Sequence, residues 1–318
     1  MTKVTIVQVI YNHKKFIEPI FTAIFNQTYK DFKVVAVISG NEDGGKELLQ
    51  EKFPQVEIVD PGYNIGFAKG HNLVFAKYNS EFFQLVNPDL ILEPDYIENI
   101  LKAFENPKIG AATGKLLRYD FKNNKKTNII DSTGVVVEKS GRGSDRGQHE
   151  EDRGQYDNSI LIQASSGAGP MYRKSALESI KYINKGEVQF FDEDFHSYWE
   201  DVDLGLRMGN AGWESVFAPS ALGYHGRGAG SHKGGYKDIW GFVKFHKSLP
   251  LTIRKLNYTN HIFMYIKNTK WLYPQFYLRE FLMLIYLIMF ERDTLRVVPQ
   301  MLKFLPTMWK KRDFVKRI

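Results

Sequence analysis

The sequence predicts an α/β fold: a mostly parallel sheet flanked by helices, followed by a helical C-terminal region. Three observations predict it. Short β-branched runs alternate with helix-spaced apolar residues over the first ~90 positions. The polar residues between those runs collect where the strands end. The last ~80 residues abandon the alternation for apolar and basic helical stretches.

The elements follow in order. Val4 to Ile10 reads as a first strand, and is too short for the core of a signal peptide with a cleavage site. Phe16, Ile17, Ile20, Phe21 and Ile24 recur at helical spacing, with Asn12 the expected N-cap. Val34 to Ile38 is a second strand, Lys46 to Phe53 a short helix and Val56 to Val59 a third strand. Phe67 to Tyr78 suits a helix and Phe82 to Val86 a fourth strand. Strands alternating with helices imply parallel pairing with right-handed crossovers. Ligands bind such sheets beyond the carboxyl ends of the strands. Those ends carry Tyr11-Asn12, Ser39-Gly40-Asn41, Asp60 to Asn64 and Asn87-Pro88-Asp89.

From about Asn123 to Asn158 the pattern loosens into "SGRGSDRGQHEEDRGQYDN". This is either a solvated loop or a functional one whose Arg142, Arg146 and Arg153 meet phosphates. Ile160 to Ala164 returns to strand character. The small residues Ser166, Gly167, Ala168 and Gly169 then let backbone approach a ligand closely, or simply turn the chain into the helix after Arg173. Six carboxylates lie between Asp192 and Asp203. A helix is expected from about Glu200 to Asn210, with Asp203 and Arg207 paired across one turn as a structural contact. Glu200 and Asp201 at its start suit the helix dipole in any protein. A strand at Ser215 to Phe217 and a turn at Ala218-Pro219-Ser220 lead to "YHGRGAGS", where His225 sits among glycines and so is not explained by packing.

Charge and composition narrow the classes. The chain has 318 residues, no cysteine and a net charge of +7. Disulfides, a thiolate nucleophile and a cysteine zinc site are therefore excluded. Residues 292–318 hold eight Lys/Arg against two Asp/Glu, so nearly all the net charge lies there. That argues against a nucleic-acid partner and for a basic tail with its own role. "EFLMLIYLIMFERD" contains ten consecutive apolar residues, Phe281 to Phe290, where a spanning helix needs ~20. The tail mixes Val297, Met301, Leu302, Phe304 and Trp309 with Lys303, Lys310, Lys311, Arg312, Lys316 and Arg317. It suits an anionic membrane surface, or a helical subdomain or homodimer contact.

Taken together, the motifs resemble family 2 glycosyltransferases, and within them the rhamnosyltransferase-like group, from Val4 to about Gly230. The carriers are "VTIVQVIYNHKKFIEPIFTAIFNQTY", "NIGFAKGHN", "LVNPDLIL", "GRGSDRGQHEEDRGQYD", "SGAGPMYRKSAL", "FDEDFHSYWEDVDLGLR" and "YHGRGAGS", in that order. The resemblance implies a GT-A fold, with 1–118 as the nucleotide-sugar half, 119–240 as the acceptor half and 241–318 as a helical, membrane-associating extension. It implies inverting transfer from a nucleotide sugar to a glycan or polyprenyl-linked acceptor, with L-rhamnose from dTDP-L-rhamnose as the expected donor sugar. A UDP-hexose donor, or a scaffold that binds nucleotide sugar without catalysis, are the alternatives. The location expected is cytoplasmic, peripheral on the inner face of the plasma membrane.

Roles follow from the same resemblance. Asp201 is the expected base and Glu200 the runner-up. Tyr11, Asn12, Ser39, Asn64, Gly66, Phe67, Ala68, Asn87 and Asp89 would line the donor pocket, with Arg142 and Arg146 near its phosphates. Ser166, Gly167, Ala168 and Trp199 would face the acceptor. Asp89, with His225, would hold Mg²⁺ or Mn²⁺. Two departures stand out. Ser39 occupies the place of an acid that usually contacts the base of the nucleotide, and Asn87 replaces the first acid of the metal signature, adding no charge.

Overall fold

The computed structural model describes residues 2–184, 186–227, 233 and 238–316. Gly228 to Ser231 of the glycine-rich stretch and Arg317 of the tail lie outside the described residues. The first half runs β1 (Val4–Ile10), α1 (Lys14–Phe25), β2 (Phe32–Ile38), α2 (Gly45–Lys52), β3 (Glu57–Val59), α3 (Gly66–Lys77), β4 (Phe82–Leu85), β5 (Leu90–Leu92) and α4 (Tyr96–Lys102). The second half runs β6 (Ile109–Asp120), β7 (Lys125–Ser132), β8 (Val135–Val137), β9 (Gly143–Asp145), β10 (Leu161–Ile162), β11 (Pro170–Arg173), α5 (Lys174–Ile180), β12 (Tyr182–Asn184), β13 (Glu187–Gln189), α6 (Glu200–Asn210) and β14 (Glu214–His225). Four helices close the chain: α7 (Ile239–Ser248), α8 (Leu251–Asn268), α9 (Pro274–Phe290) and α10 (Val298–Val315).

One ten-stranded sheet runs β10-β14-β6-β11-β4-β1-β2-β3, with β5 paired to β14 and β7 to β6. The β-branched residues of β1 and β2 are buried on both faces, as central strands between helical layers require. Strands β1 to β4 pair in parallel, and so do β6 and β14. The sheet is nevertheless mixed rather than mostly parallel. Strand β11 runs antiparallel to both β4 and β6 and joins the two parallel halves, while β5, β7 and β10 add antiparallel edges. The long strand β6 was not visible as a strand in the sequence, because Gly110, Thr113, Gly114 and Lys115 interrupt its apolar pattern.

Three local expectations change. Asn12 does not cap α1. Its Oδ1 accepts from the Glu42 backbone N–H, while the helix's first N–H, on Lys14, donates to Asp43 Oδ2 at 2.7 Å. The loop after β2 thus closes over the start of α1. Ala218-Pro219-Ser220 is not a turn between elements: it is an irregularity inside β14, where the register against β6 slips between Ala218 and Leu222. The stretch 123–158 is partly ordered strand, because β7 pairs with β6 and β8 with β9.

The C-terminal helices pack onto the body through a shared core. Ile262, Phe263, Met264, Tyr265, Met301 and Met308 cluster with Ala164, Phe195 and Val202. Beneath them lies a buried ionic cluster. Lys267, 1% exposed, reaches Asp192 Oδ2 at 2.7 Å and Asp203 Oδ2 at 2.9 Å. Lys311 of α10 pairs with Asp192 and Asp194, and Arg207 with Asp203 at 3.0 Å. Burial alone would push the Asp192 carboxyl up, but the two ammonium groups outweigh it and hold it well below the usual range.

Candidate active site

A cavity of about 500 Å³ opens where the carboxyl ends of β1, β2 and β4 meet the turn before β11 and the start of α6. Strand register explains how its chemistry assembles. After β4 the chain leaves the sheet at Asn87, whose N–H donates to Ala168 O at 2.8 Å. Pro88 cannot donate to a ladder. The chain re-enters as β5, and Leu90 pairs with His225 of β14. Asp89 is thereby fixed beside His225, with its carbonyl accepting from the Gly226 N–H at 2.9 Å.

The imidazole of His225 lies between two carboxylates. Its Nε2 is 3.1 Å from Asp89 Oδ1 and its Nδ1 is 2.8 Å from Asp131 Oδ2. Burial opposes a charge on this ring, yet both carboxylates raise its pKa to about 9. Burial likewise opposes ionisation of Asp89 and Asp131, and His225 overrides it in both cases. Asp131, fully buried, also receives Arg118 Nε at 2.8 Å. Arg227, two residues beyond His225, pairs with Asp145 and stands 3.5 Å from Asp131.

The acids of α6 face this group across the cavity. Asp201 Oδ2 accepts from the Gly167 N–H at 2.7 Å and Oδ1 from the Val202 N–H at 2.8 Å. A Cβ on Gly167 would sit 3.1 Å from that carboxylate, a tight contact that the glycine avoids. Burial raises the Asp201 pKa to about 6, against the pull of those two backbone bonds. Glu200 is 5% exposed, and its Oε2 has no partner among the described residues. Burial first, and the Asp201 charge second, raise its pKa well above the carboxylate range.

Most of the residues expected at the site line this one cavity. Tyr11, Ser39, Asn64, Gly66, Phe67, Asn87 and Asp89 line the cavity, as do Ser166, Gly167, Ala168 and Trp199. Ser39 is fully buried; its hydroxyl donates to Asn64 Oδ1 and accepts from the Ile65 N–H, both at 3.0 Å. It fixes the turn into α3. Gly66 has φ +76°, and a Cβ there would lie 2.6 Å from the His196 ring. Asn12, Ala68, Arg142 and Arg146 do not line this cavity. Ala68 is buried beneath it, and Asn12 holds the loop after β2. The Arg146 guanidinium donates to Thr133 Oγ1, Thr133 O and Ser159 O, and so braces its own loop. Arg142 lines a second cavity.

Three groups gave no sequence signal of this use: Asp131, Arg227 and Asn260. The loop before α6 holds His196, Tyr198 and Trp199 at φ of +58°, +72° and +72°, which bulky side chains avoid. Asn260 of α8 clamps it, its Nδ2 donating to the carbonyls of Phe195, Ser197 and Tyr198 at 2.9–3.0 Å. Asn257 accepts from Trp199 Nε1 at 3.1 Å.

Comparison with known proteins gives the family. The chain is 26% identical over 261 residues to the N-acetylglucosaminyl-diphospho-decaprenol L-rhamnosyltransferase of Mycobacterium tuberculosis, covering 76% of this chain and 81% of that one. Its fold is similar to a mannosyltransferase of Pyrobaculum calidifontis in complex with GDP-Man and Mn²⁺, with TM-score 0.56, 16% identity, and 98% and 84% of the two chains covered. It is also similar to GalNAc-T7 with UDP, GalNAc and Mn²⁺, with TM-score 0.57, 9% identity, and 84% and 48% covered. The fold is GT-A, with a helical C-terminal region. The family model Glycosyl transferase family 2 matches residues 5–181, more than half of the sequence, and the chain belongs to that family of nucleotide-sugar transferases.

Proposed function

We propose that the protein is an inverting rhamnosyltransferase that moves L-rhamnose from dTDP-L-rhamnose to a lipid-linked glycan acceptor at a membrane surface. The observation that carries the reading is one cavity holding Asp201, with its raised pKa, opposite the Asp89–His225 pair. The acceptor hydroxyl enters beside Ser166 to Ala168 and Trp199. Asp201 takes its proton as the oxygen attacks the anomeric carbon, on the face away from the leaving diphosphate. Inversion follows from that one-sided attack.

The residues on the donor side fit a divalent ion. Asp89 Oδ1 and His225 Nε2, hydrogen-bonded at 3.1 Å, would both hold such an ion once the ring gives up its Nε2 proton. Asp131 anchors the other ring nitrogen, as second-shell carboxylates do for metal-bound histidine. Among the described residues, no group of three or more His, Asp or Glu is arranged to hold a metal. Phosphate oxygens and water would complete the shell of Mg²⁺ or Mn²⁺. Bound there, the ion would supply charge stabilisation for the departing diphosphate. Arg227, also in the cavity wall, takes the cationic role expected of Arg146. Asn87 offers a neutral contact to sugar or phosphate.

The rhamnosyl donor and lipid-linked acceptor draw support from the named mycobacterial relative. Residues 1–118 would hold the donor, 119–240 the acceptor and 241–318 the membrane. The membrane surface, on the inner face of the plasma membrane, draws support from α9. It exposes Tyr277, Leu278, Phe281, Leu282, Ile288 and Met289, each 47% or more accessible, beside a basic tail. Among the described residues no helix is long and apolar enough to cross a membrane.

The test is a donor screen with Mn²⁺, reading nucleoside diphosphate release and the anomeric configuration of the product. Turnover of dTDP-L-rhamnose with inversion is expected. Turnover of a UDP-hexose instead would reassign the donor. No turnover of any donor, with Asp201→Asn indistinguishable from the parent, would leave a binding scaffold.

A further inference from the structure

A second cavity, of about 340 Å³, lies between the β8–β9 hairpin and helices α7 to α9. It shares a wall with the first, because Tyr198, Trp199 and Arg227 line both. Four arginines and two carboxylates line it, and Glu280 and Asp131, just outside the lining, pair with Arg279 and Arg227. Arg254 and Arg279 are 15% and 18% exposed, so their guanidinium groups are screened from bulk water but not sealed off. Arg254 donates from Nη1 to Glu291, and Arg279 from Nη1 to Glu280. The Nε of each is buried without a hydrogen-bond partner among the described residues. A planar guanidinium with donors left over is suited to phosphate oxygens.

Part of the wall is apolar, formed by Phe242, Phe245, Leu249, Met283 and Leu287, beside polar Gln148, His246, Asn257, His261 and Thr294. Met283 and Leu287 belong to α9, whose other side carries the exposed apolar residues described above. One helix therefore has one side against an arginine-bearing cavity and another available to hydrocarbon. A sugar nucleotide would not need that apolar wall, and a free glycan would need neither the wall nor the arginines. An anion attached to a hydrocarbon chain uses both.

We propose that this cavity binds the phosphorylated head of a lipid-linked acceptor, with Arg254 and Arg279 on phosphate oxygens and the α7–α9 wall on the first carbons of the chain. The shared wall at Tyr198 and Trp199 then directs the attached sugar into the first cavity, toward Asp201. The proposal rests on the glycosyl-transfer reading and adds to it the place of the acceptor.

The experiment uses the full chain without donor. Binding of farnesyl diphosphate is followed by tryptophan fluorescence, with farnesol and inorganic pyrophosphate as the uncharged and chain-free controls. Farnesyl diphosphate should bind at least about tenfold more tightly than either control, as expected when both ends contribute. Arg279→Gln and the cavity-filling Met283→Trp should each weaken it about tenfold or more while leaving nucleoside diphosphate binding within about twofold. Farnesyl diphosphate should also bind the parent protein when nucleoside diphosphate is saturating, which needs no variant. Equal binding of pyrophosphate, competition by nucleoside diphosphate, or unchanged binding in both variants would overturn the proposal. A protein that transfers sugar to a lipid-free glycan yet ignores farnesyl diphosphate fails here while the transfer reading stands. One that binds farnesyl diphosphate but turns over no donor fails that reading instead.

Discussion

Asp201 and Glu200 are adjacent acids on the wall of one cavity, in different surroundings. The Asp201 carboxylate keeps two backbone N–H bonds and an edge on the cavity, whereas Glu200 is enclosed with an unpaired oxygen. Asp201→Asn should lower the rate of transfer about a hundredfold to ten-thousandfold with nucleotide binding retained, as measured by initial rates and thermal shift. A base works only when deprotonated. Since its pKa is raised to about 6, kcat/KM should fall as pH drops below that value, and a flat profile down to pH 4.5 would remove Asp201 from the role. Asp131 predicts a different signature. Asp131→Asn should weaken Mn²⁺ binding roughly tenfold to a hundredfold, read by the metal-dependent thermal shift, because His225 loses its anchor. Asp89, Asp201 and His225 were legible from motif order. Asp131 was not, since a lone acid in an Asn-Ile-Ile-Asp-Ser-Thr run carries no mark of a partner 94 residues away.

At the scale of elements, the strands and helices of the first 90 residues were readable because each buries a regular apolar face. Strands β5, β8 and β9 span three residues each, too few for periodicity to register. The clamp by α8 on the loop before α6 was equally hidden, being made by one side-chain amide meeting three backbone carbonyls. Asn260→Ala should cost about 1–3 kcal/mol of stability, measured by denaturant unfolding. It should lower kcat more than it raises the donor KM, because the loop it releases carries Trp199 and leads into Asp201. Helix α9 predicts a separable loss. Phe281→Ser with Leu282→Ser should abolish co-flotation with anionic vesicles while turnover of a lipid-free acceptor persists. Unchanged flotation, or a shift from dimer to monomer in solution, would assign this face to a second copy of the chain.

Over the whole molecule, the basic tail divides into two populations that composition could not tell apart. Lys311 closes on Asp192 and Asp194, and Arg312, 4% exposed, donates to the carbonyls of Ile266 and Lys270. Those two charges belong to the interior, whereas Arg292, Arg296, Lys303, Lys310 and Lys316 are exposed. Lys267→Met would leave Asp192 and Asp203 less compensated, and should destabilise the chain by about 3–5 kcal/mol, seen as a lowered unfolding midpoint. Membrane binding is better tested by point changes on α9 than by deleting residues 271–318, which would remove Lys311 and strip the shared core. The ionic cluster has a further consequence, for how such proteins can be recombined. Because Lys267 and Lys311 are matched to acids before and within α6, the terminal helices are not a detachable module. A chimera that exchanges the helices from α7 onward between relatives should misfold unless residues 192–203 come from the same parent. A crossover between β5 and β6 leaves that ionic match intact, so the first half could be exchanged while residues 192–203 and the terminal helices are inherited together.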